Sequence, residues 1–130
     1  GSIEFINDSK ATNIEAAARA LEANSKILWI AGGRLKENSI DALLPFLGEV
    51  LHVYLIGEAA EALSNLLDKI VPTTICNNMD DAVNIAYIAA LEKKSATVLL
   101  SPACSSFDQY KNFEERGDAF CSIVKKLEDR

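Results

Sequence analysis

The sequence is poor in the side chains on which many active sites depend. It has one histidine, His52, so a His-based metal site or a Ser/His/Asp triad would rest on that residue alone. Its three cysteines, Cys76, Cys104 and Cys121, form no C-x-x-C pair and are odd in number, which argues against a disulfide framework or a zinc site and for reduced thiols. Only 3 prolines and 6 glycines are present, too few for a low-complexity, fibrous or disordered chain. Basic residues are in the minority, 13 Lys and Arg against 19 Asp and Glu. The resulting charge of -6 and pI near 4.8 exclude a nucleic-acid partner, which would need clustered excess cations. No apolar run approaches the ~20 residues of a bilayer span, and no charged-then-apolar signal opens the chain. The expectation is a soluble, cytosolic protein with no membrane partner.

What remains is ordinary globular material: 130 residues, 14.1 kDa, 49% apolar, the size of one domain. Gly1-Ser2 resembles the remnant of a cleaved tag on a segment cut from a longer protein, which leaves residues 3–130 as the domain. Apolar runs of strand length recur at Ile3–Asn7, Ile27–Ala31, Val53–Ile56, Thr74–Cys76 and Thr97–Leu100. They are nearly continuous rather than alternating, as expected of strands covered on both faces. Helical periodicity separates them. It runs through Ala16, Ala17, Ala20 and Leu21, then Ile40, Leu43, Leu44 and Leu47, where Pro45 should kink or end the helix. It resumes at Ala59–Leu67 and Ala82–Leu91, and a last helix spans about Asn112 to Leu127. Strand and helix thus alternate at about 26 residues per unit. This predicts an α/β, three-layer Rossmann-like domain: an open, mostly parallel sheet with helices on both faces. Ligands of such sheets bind beyond the carboxyl ends of the strands.

The loops at those ends differ in promise. After the first strand comes Asn7-Asp8-Ser9-Lys10-Ala11-Thr12-Asn13, where Thr12 and Glu15 have capping-box spacing. With Lys10 beside the helix N-terminus, the segment reads either as a small anion site or as a capped turn with a solvated lysine. After the second, Ala31-Gly32-Gly33-Arg34-Leu35-Lys36 has paired glycines suited to a sharp turn or close approach, without a dinucleotide fingerprint. Its cations either meet a carboxylate or phosphate or are plain surface charges. Ile56-Gly57-Glu58 and Asn77-Asn78 suggest no chemistry, and Asn78 is positioned to cap a helix. The fifth loop, Ser101 to Phe113, is long and rich in serine and aromatics. It reads as a polar-ligand loop walled by Phe107 and Phe113, or as a wide turn whose aromatics return to the core. Cys104 has no histidine or basic partner nearby in sequence and reads as a packed, unreactive thiol.

Three strings in order and spacing, Asp8-Ser9-Lys10-Ala11-Thr12-Asn13, Ala31-Gly32-Gly33 followed by Lys36, and Leu100 through Gly117, resemble the C-terminal domain of the Mur ligase family. The branch resembled is the UDP-N-acetylmuramoyl-L-alanine:D-glutamate ligases of peptidoglycan synthesis. Arg34-Leu35 before the lysine, and Tyr110 where phenylalanine is common, depart from the family pattern.

The resemblance implies a cytoplasmic three-domain enzyme that uses ATP and Mg²⁺ to activate a carboxylate as an acyl phosphate, which the amine of D-glutamate then attacks. The domain would close onto a central ATPase domain of the same polypeptide. By motif matching, Thr12, Lys36, Ser106, Phe107 and Phe113 would contact D-glutamate. Asp8 and Lys10 would face the nucleotide, with Lys10 in a catalytic role. No metal ligand is implied here, and no G-x-x-x-x-G-K-[ST] phosphate loop is present, so this segment alone should be inactive and bind no cofactor. The alternatives are a free-standing α/β small-ligand-binding module, or a sister ligase adding a different amino acid. Ile56-Gly57 and Ser101-Pro102 stand where a phosphoreceiver would carry an acid and a lysine.

Overall fold

The computed structural model describes residues 2–129; Gly1, half of the expected tag remnant, lies outside the described residues. Five strands form one sheet: β1 (Ile3–Asn7), β2 (Ile27–Gly32), β3 (Val50–Ile56), β4 (Thr73–Ile75) and β5 (Ala96–Leu100). Its order is β1-β5-β2-β3-β4 and every pairing is parallel. Four α-helices connect or follow these strands: α1 (Ile14–Glu22), α2 (Ala60–Leu67), α3 (Met79–Lys93) and α4 (Phe113–Glu128). The expected three-layer architecture is present.

Strand alternation builds the layers. Ile27, Trp29 and Ala31 of β2 join Val53, Leu55 and Leu99 in a core with α1 and α2. Leu28 and Ile30 join Tyr54, Ile56, Val98 and Leu100 in a second core with α3 and α4. Both faces of β2 are buried, which is why its sequence shows no polar alternation. On α1 the buried residues Ile14, Ala17, Ala18 and Leu21 fall at three- and four-residue steps, one face toward the sheet. Each fully buried Leu or Ile side chain in these layers contributes about 1.5–3 kcal/mol.

Three sequence expectations change. Residues Asp41–Glu49 form a 3₁₀ helix containing Pro45, rather than a kinked α-helix. The tighter turn buries Leu43 and Leu47 but leaves Leu44 exposed. Strand β3 starts three residues earlier than its β-branched stretch, because Val50 pairs with Ile27 across a bulge. Thr12 does not cap α1. Asn13, in extended backbone at φ -143, accepts from the Ala16 amide at 2.8 Å, and Glu15 turns instead to Arg19. The capping amide lies three residues past Asn13, so Thr12 is one position too early. Asn78 and Asn112 do cap α3 and α4, accepting from Asp81 and Glu115.

The topology selects one end of the sheet. The helices after β1 and β3, together with the 3₁₀ helix after β2, pack on one face; α3 and α4 pack on the other. Strand β5 therefore lies between two neighbours, β1 and β2, whose following segments leave on the opposite face from its own. Such a reversal opens a crevice at the carboxyl ends of those strands.

Candidate functional site at the carboxyl ends of β1, β5 and β2

The loops after β1, β2 and β5 are joined by hydrogen bonds. Asp8 donates its amide to the Leu100 carbonyl at 2.7 Å, and its Oδ2 accepts from Ser101 Oγ at 3.0 Å. Ala103 donates to the Ala11 carbonyl at 3.0 Å. On the other side of β5, Gly32 donates to Pro102 at 3.0 Å, and Arg34 and Ser105 exchange backbone bonds at 2.9 and 3.1 Å. Further out, Asp108 Oδ2 accepts from the Glu58 amide at 2.9 Å, tying the β5 loop to the turn after β3.

The paired glycines make this approach possible. Gly32 and Gly33 lie at φ +126 and +135; a Cβ would run into the Ile56 carbonyl at Gly32 and the Ser105 carbonyl at Gly33. Only glycine fits such positions without strain. Ala103 also takes a left-handed conformation, φ 63, in the middle of the β5 loop.

Asp8 and Lys10 line a groove of about 610 Å³ beside α1. Lys10 also borders a smaller space of about 240 Å³ with Ser9 and Phe113, so it stands between the two. Thr12 is half-buried just past Ala11, the residue bound by the β5 loop. Ser106 is buried, and its carbonyl accepts from Tyr110 at 2.8 Å and Gln109 at 3.1 Å. Lys36 is exposed two residues beyond the Arg34–Ser105 bridge, which brings its loop to the serine loop. Phe107 and Phe113 are 62% and 40% exposed; neither returns to the core. Asp8, Lys10 and Phe113 therefore share one stretch of the rim, while Lys36 and Ser106 lie on adjoining loops. Arg34, the other candidate cation, pairs with Glu58 at 3.3 Å in an exposed contact.

Cys104 is fully buried, and burial pushes its thiol up to about 12 despite the nearby Arg116 guanidinium. It cannot serve as a thiolate nucleophile near neutral pH. Among the described residues, no group of three or more His, Cys, Asp or Glu is placed to hold a metal ion. No helix among them is long and apolar enough to cross a membrane.

Arg116 was not among the residues that sequence reasoning singled out. It is 1% exposed and bonds the β1 loop to the β5 loop. Burial lowers the pKa of its guanidinium, a shift opposed by Cys104, Asp108 and Tyr110. The available signal was its place four residues before Phe120, on the buried stripe of α4 that continues through Ile123, Val124 and Leu127.

Residues 1–104 match the family described as "Mur ligase, glutamate ligase domain". A UDP-N-acetylmuramoylalanine--D-glutamate ligase of Rhizobium meliloti is 52% identical over 130 residues, covering 98% of this chain and 28% of that protein. The equivalent ligase of Agrobacterium fabrum is 50% identical over 132 residues, covering 98% of this chain and 28% of its own length. That of a Wolbachia from Brugia malayi is 44% identical over 133 residues, covering 99% and 27%. This chain thus spans little more than a quarter of these relatives. On the family match and the three joined loops, it belongs to the Mur ligases, in their glutamate ligase domain.

Proposed function

We propose that this chain is the C-terminal, amino-acid-delivering domain of an ATP-dependent ligase that joins D-glutamate to UDP-N-acetylmuramoyl-L-alanine in cytoplasmic peptidoglycan synthesis. The observation that carries this reading is the convergence of the β1, β2 and β5 loops at the crevice beside β5, with the candidate contacts on those loops and, for Phe113, at the first residue of α4. The naming of its relatives as D-glutamate ligases supports the choice of amino acid.

D-Glutamate brings two carboxylates and one amine. Lys36 meets a carboxylate as a point charge, and the Thr12 and Ser106 hydroxyls donate to carboxylate oxygens. Phe107 and Phe113, exposed in the free domain, wall the aliphatic part of the substrate. Asp8 and Lys10 meet the nucleotide when the domain docks on the central ATPase domain of the same polypeptide, and Lys10 acts in catalysis by facing the transferred phosphate. ATP supplies the phosphoryl group that activates the acceptor carboxylate. On this reading Mg²⁺ and most of the ATP contacts belong to the rest of the polypeptide. The domain's contribution is to hold the amine against the activated carbonyl, a form of positioning worth up to ~7–11 kcal/mol. No protein nucleophile takes part, in keeping with the packed Cys104. On this reading the domain alone is inactive.

The test is phosphate release by the full-length enzyme with ATP, Mg²⁺ and UDP-N-acetylmuramoyl-L-alanine, adding D-glutamate, L-glutamate or diaminopimelate in turn. Release dependent on D-glutamate alone is the expected result. Release driven by another amino acid would overturn the substrate assignment, and silence with all three would overturn the ligase assignment.

A further inference from the structure

Arg116 is a buried cation whose hydrogen bonds go to neutral oxygens rather than to a carboxylate. Its Nε donates to Ser9 Oγ at 2.9 Å, one terminal nitrogen to the Ser9 carbonyl at 2.8 Å, and the other to the Cys104 carbonyl at 3.0 Å. Ser9 Oγ in turn donates to the Phe113 carbonyl at 2.7 Å. Removing a guanidinium from water is costly, and an apolar side chain would fill the same space at less expense to stability. What an apolar residue could not do is hold these oxygens.

Their positions give the grip a purpose. Ser9 lies between Asp8 and Lys10, Cys104 lies two residues before Ser106, and Phe113 is itself a candidate contact. One side chain thus sits where the phosphate-facing segment, the serine loop and the start of α4 meet. We propose that Arg116 is a positioning residue for amide formation, fixing the Asp8–Lys10 segment and the Cys104–Phe107 segment in one register. The two halves of the site then cannot drift apart. This rests on the functional reading above. The planar fork matters as well as the charge: lysine, a point charge on a flexible stem, does not reproduce three bonds of fixed direction.

Two measurements on the full-length enzyme test it. The first is amide hydrogen exchange in Ser9→Ala, which removes the hydroxyl node and leaves the guanidinium in place. Exchange should quicken in residues 8–11 and also in residues 103–110, remote in sequence, while α2 and α3 keep parent rates. Acceleration confined to residues 8–11 would overturn the coupling. The second is steady-state kinetics of Arg116→Lys. Misplacement of the reacting groups should lower kcat on the order of 100-fold. KM for D-glutamate should rise, with KM for the UDP-linked substrate unchanged. A merely structural role would lower the melting temperature and the yield of active enzyme but leave each KM at its parent value, and that result would overturn the positioning role. Should Arg116→Lys fail to fold, the kinetics of Ser9→Ala decide, with a smaller drop in kcat expected and a parent kcat sinking the idea. If the parent enzyme turns over another amino acid instead, the D-glutamate assignment falls, while the exchange pattern still decides the coupling.

Discussion

Two loops at the same end of the sheet are built in opposite ways. The β5 loop is long, yet Ser101 through Ser106 are all buried and their backbone is tied to β1, β2 and α4. The stretch after Gly33 is short, yet Arg34 and residues 36–39 are exposed, with half-buried Leu35 between them. One behaves as part of the core that happens to reach the crevice; the other is a charged surface segment attached to it at the Arg34–Ser105 bridge. The difference separates two services that a binding site needs. On the proposed function, exact placement would come from the packed loop, and charge from an exposed lysine whose removal should disturb little else.

Thiol chemistry should show the contrast most strongly. With its thiol pushed up to about 12, Cys104 at pH 8 carries roughly 10⁻⁴ of its population as thiolate, besides being fully buried. Cys121 is exposed. An alkylating reagent followed by peptide mass spectrometry should label Cys121 quickly and Cys104 only on unfolding. Comparable labelling of both in the folded chain would mean that the β5 loop opens and the contrast is false. The same shift has a stability consequence. Above the ordinary thiol value of 9, the unfolded chain releases a proton that the folded chain retains. Stability therefore falls as pH rises from 9 toward 12.

The second way to break the comparison is at the joint between the loops. Gly33→Ala places a methyl group against the Ser105 carbonyl at φ +135, combining backbone strain with overpacking. A loss of about 3–5 kcal/mol is expected from a urea unfolding curve. A loss under ~1 kcal/mol would show that the two loops are not tightly held together.

Much of this arrangement was legible in the sequence, because strands buried on both faces leave continuous apolar runs and the paired glycines signal a close approach. The cap of α1 was missed for a specific reason. Thr12 and Asn13 are both good capping residues, and Glu15 stands at the right distance from the wrong one. The 3₁₀ helix was obscured because its leucines keep helical spacing even though Pro45 forbids a regular α-helix there. Arg116 stayed hidden because its partners are mostly carbonyl oxygens, which every residue has and no sequence displays. The exposure of Phe107 and Phe113 was left open as well, since an aromatic reads the same way in a core and on a rim.

The smallest effect on folding should come from Lys36→Ala, and it sharpens the comparison because stability and function should part company there. Lys36 is exposed and takes part in no ion pair among the described residues. Its loss should shift unfolding by less than about 0.5 kcal/mol. In the full-length enzyme it should nonetheless raise KM for D-glutamate by about tenfold, the scale of one charge-assisted hydrogen bond, with KM for ATP unchanged. Lys10→Ala offers the complementary signature: Lys10 lines the groove beside Asp8, and on the proposed function it would meet its partner only on domain docking, so kcat should fall more than substrate binding weakens. Were Lys36→Ala to leave D-glutamate dependence intact, the charge that holds the amino acid would have to come from elsewhere on the rim. A large loss of stability would instead place Lys36 with the packed half of the site, and the division between a rigid frame and a replaceable charge would fail.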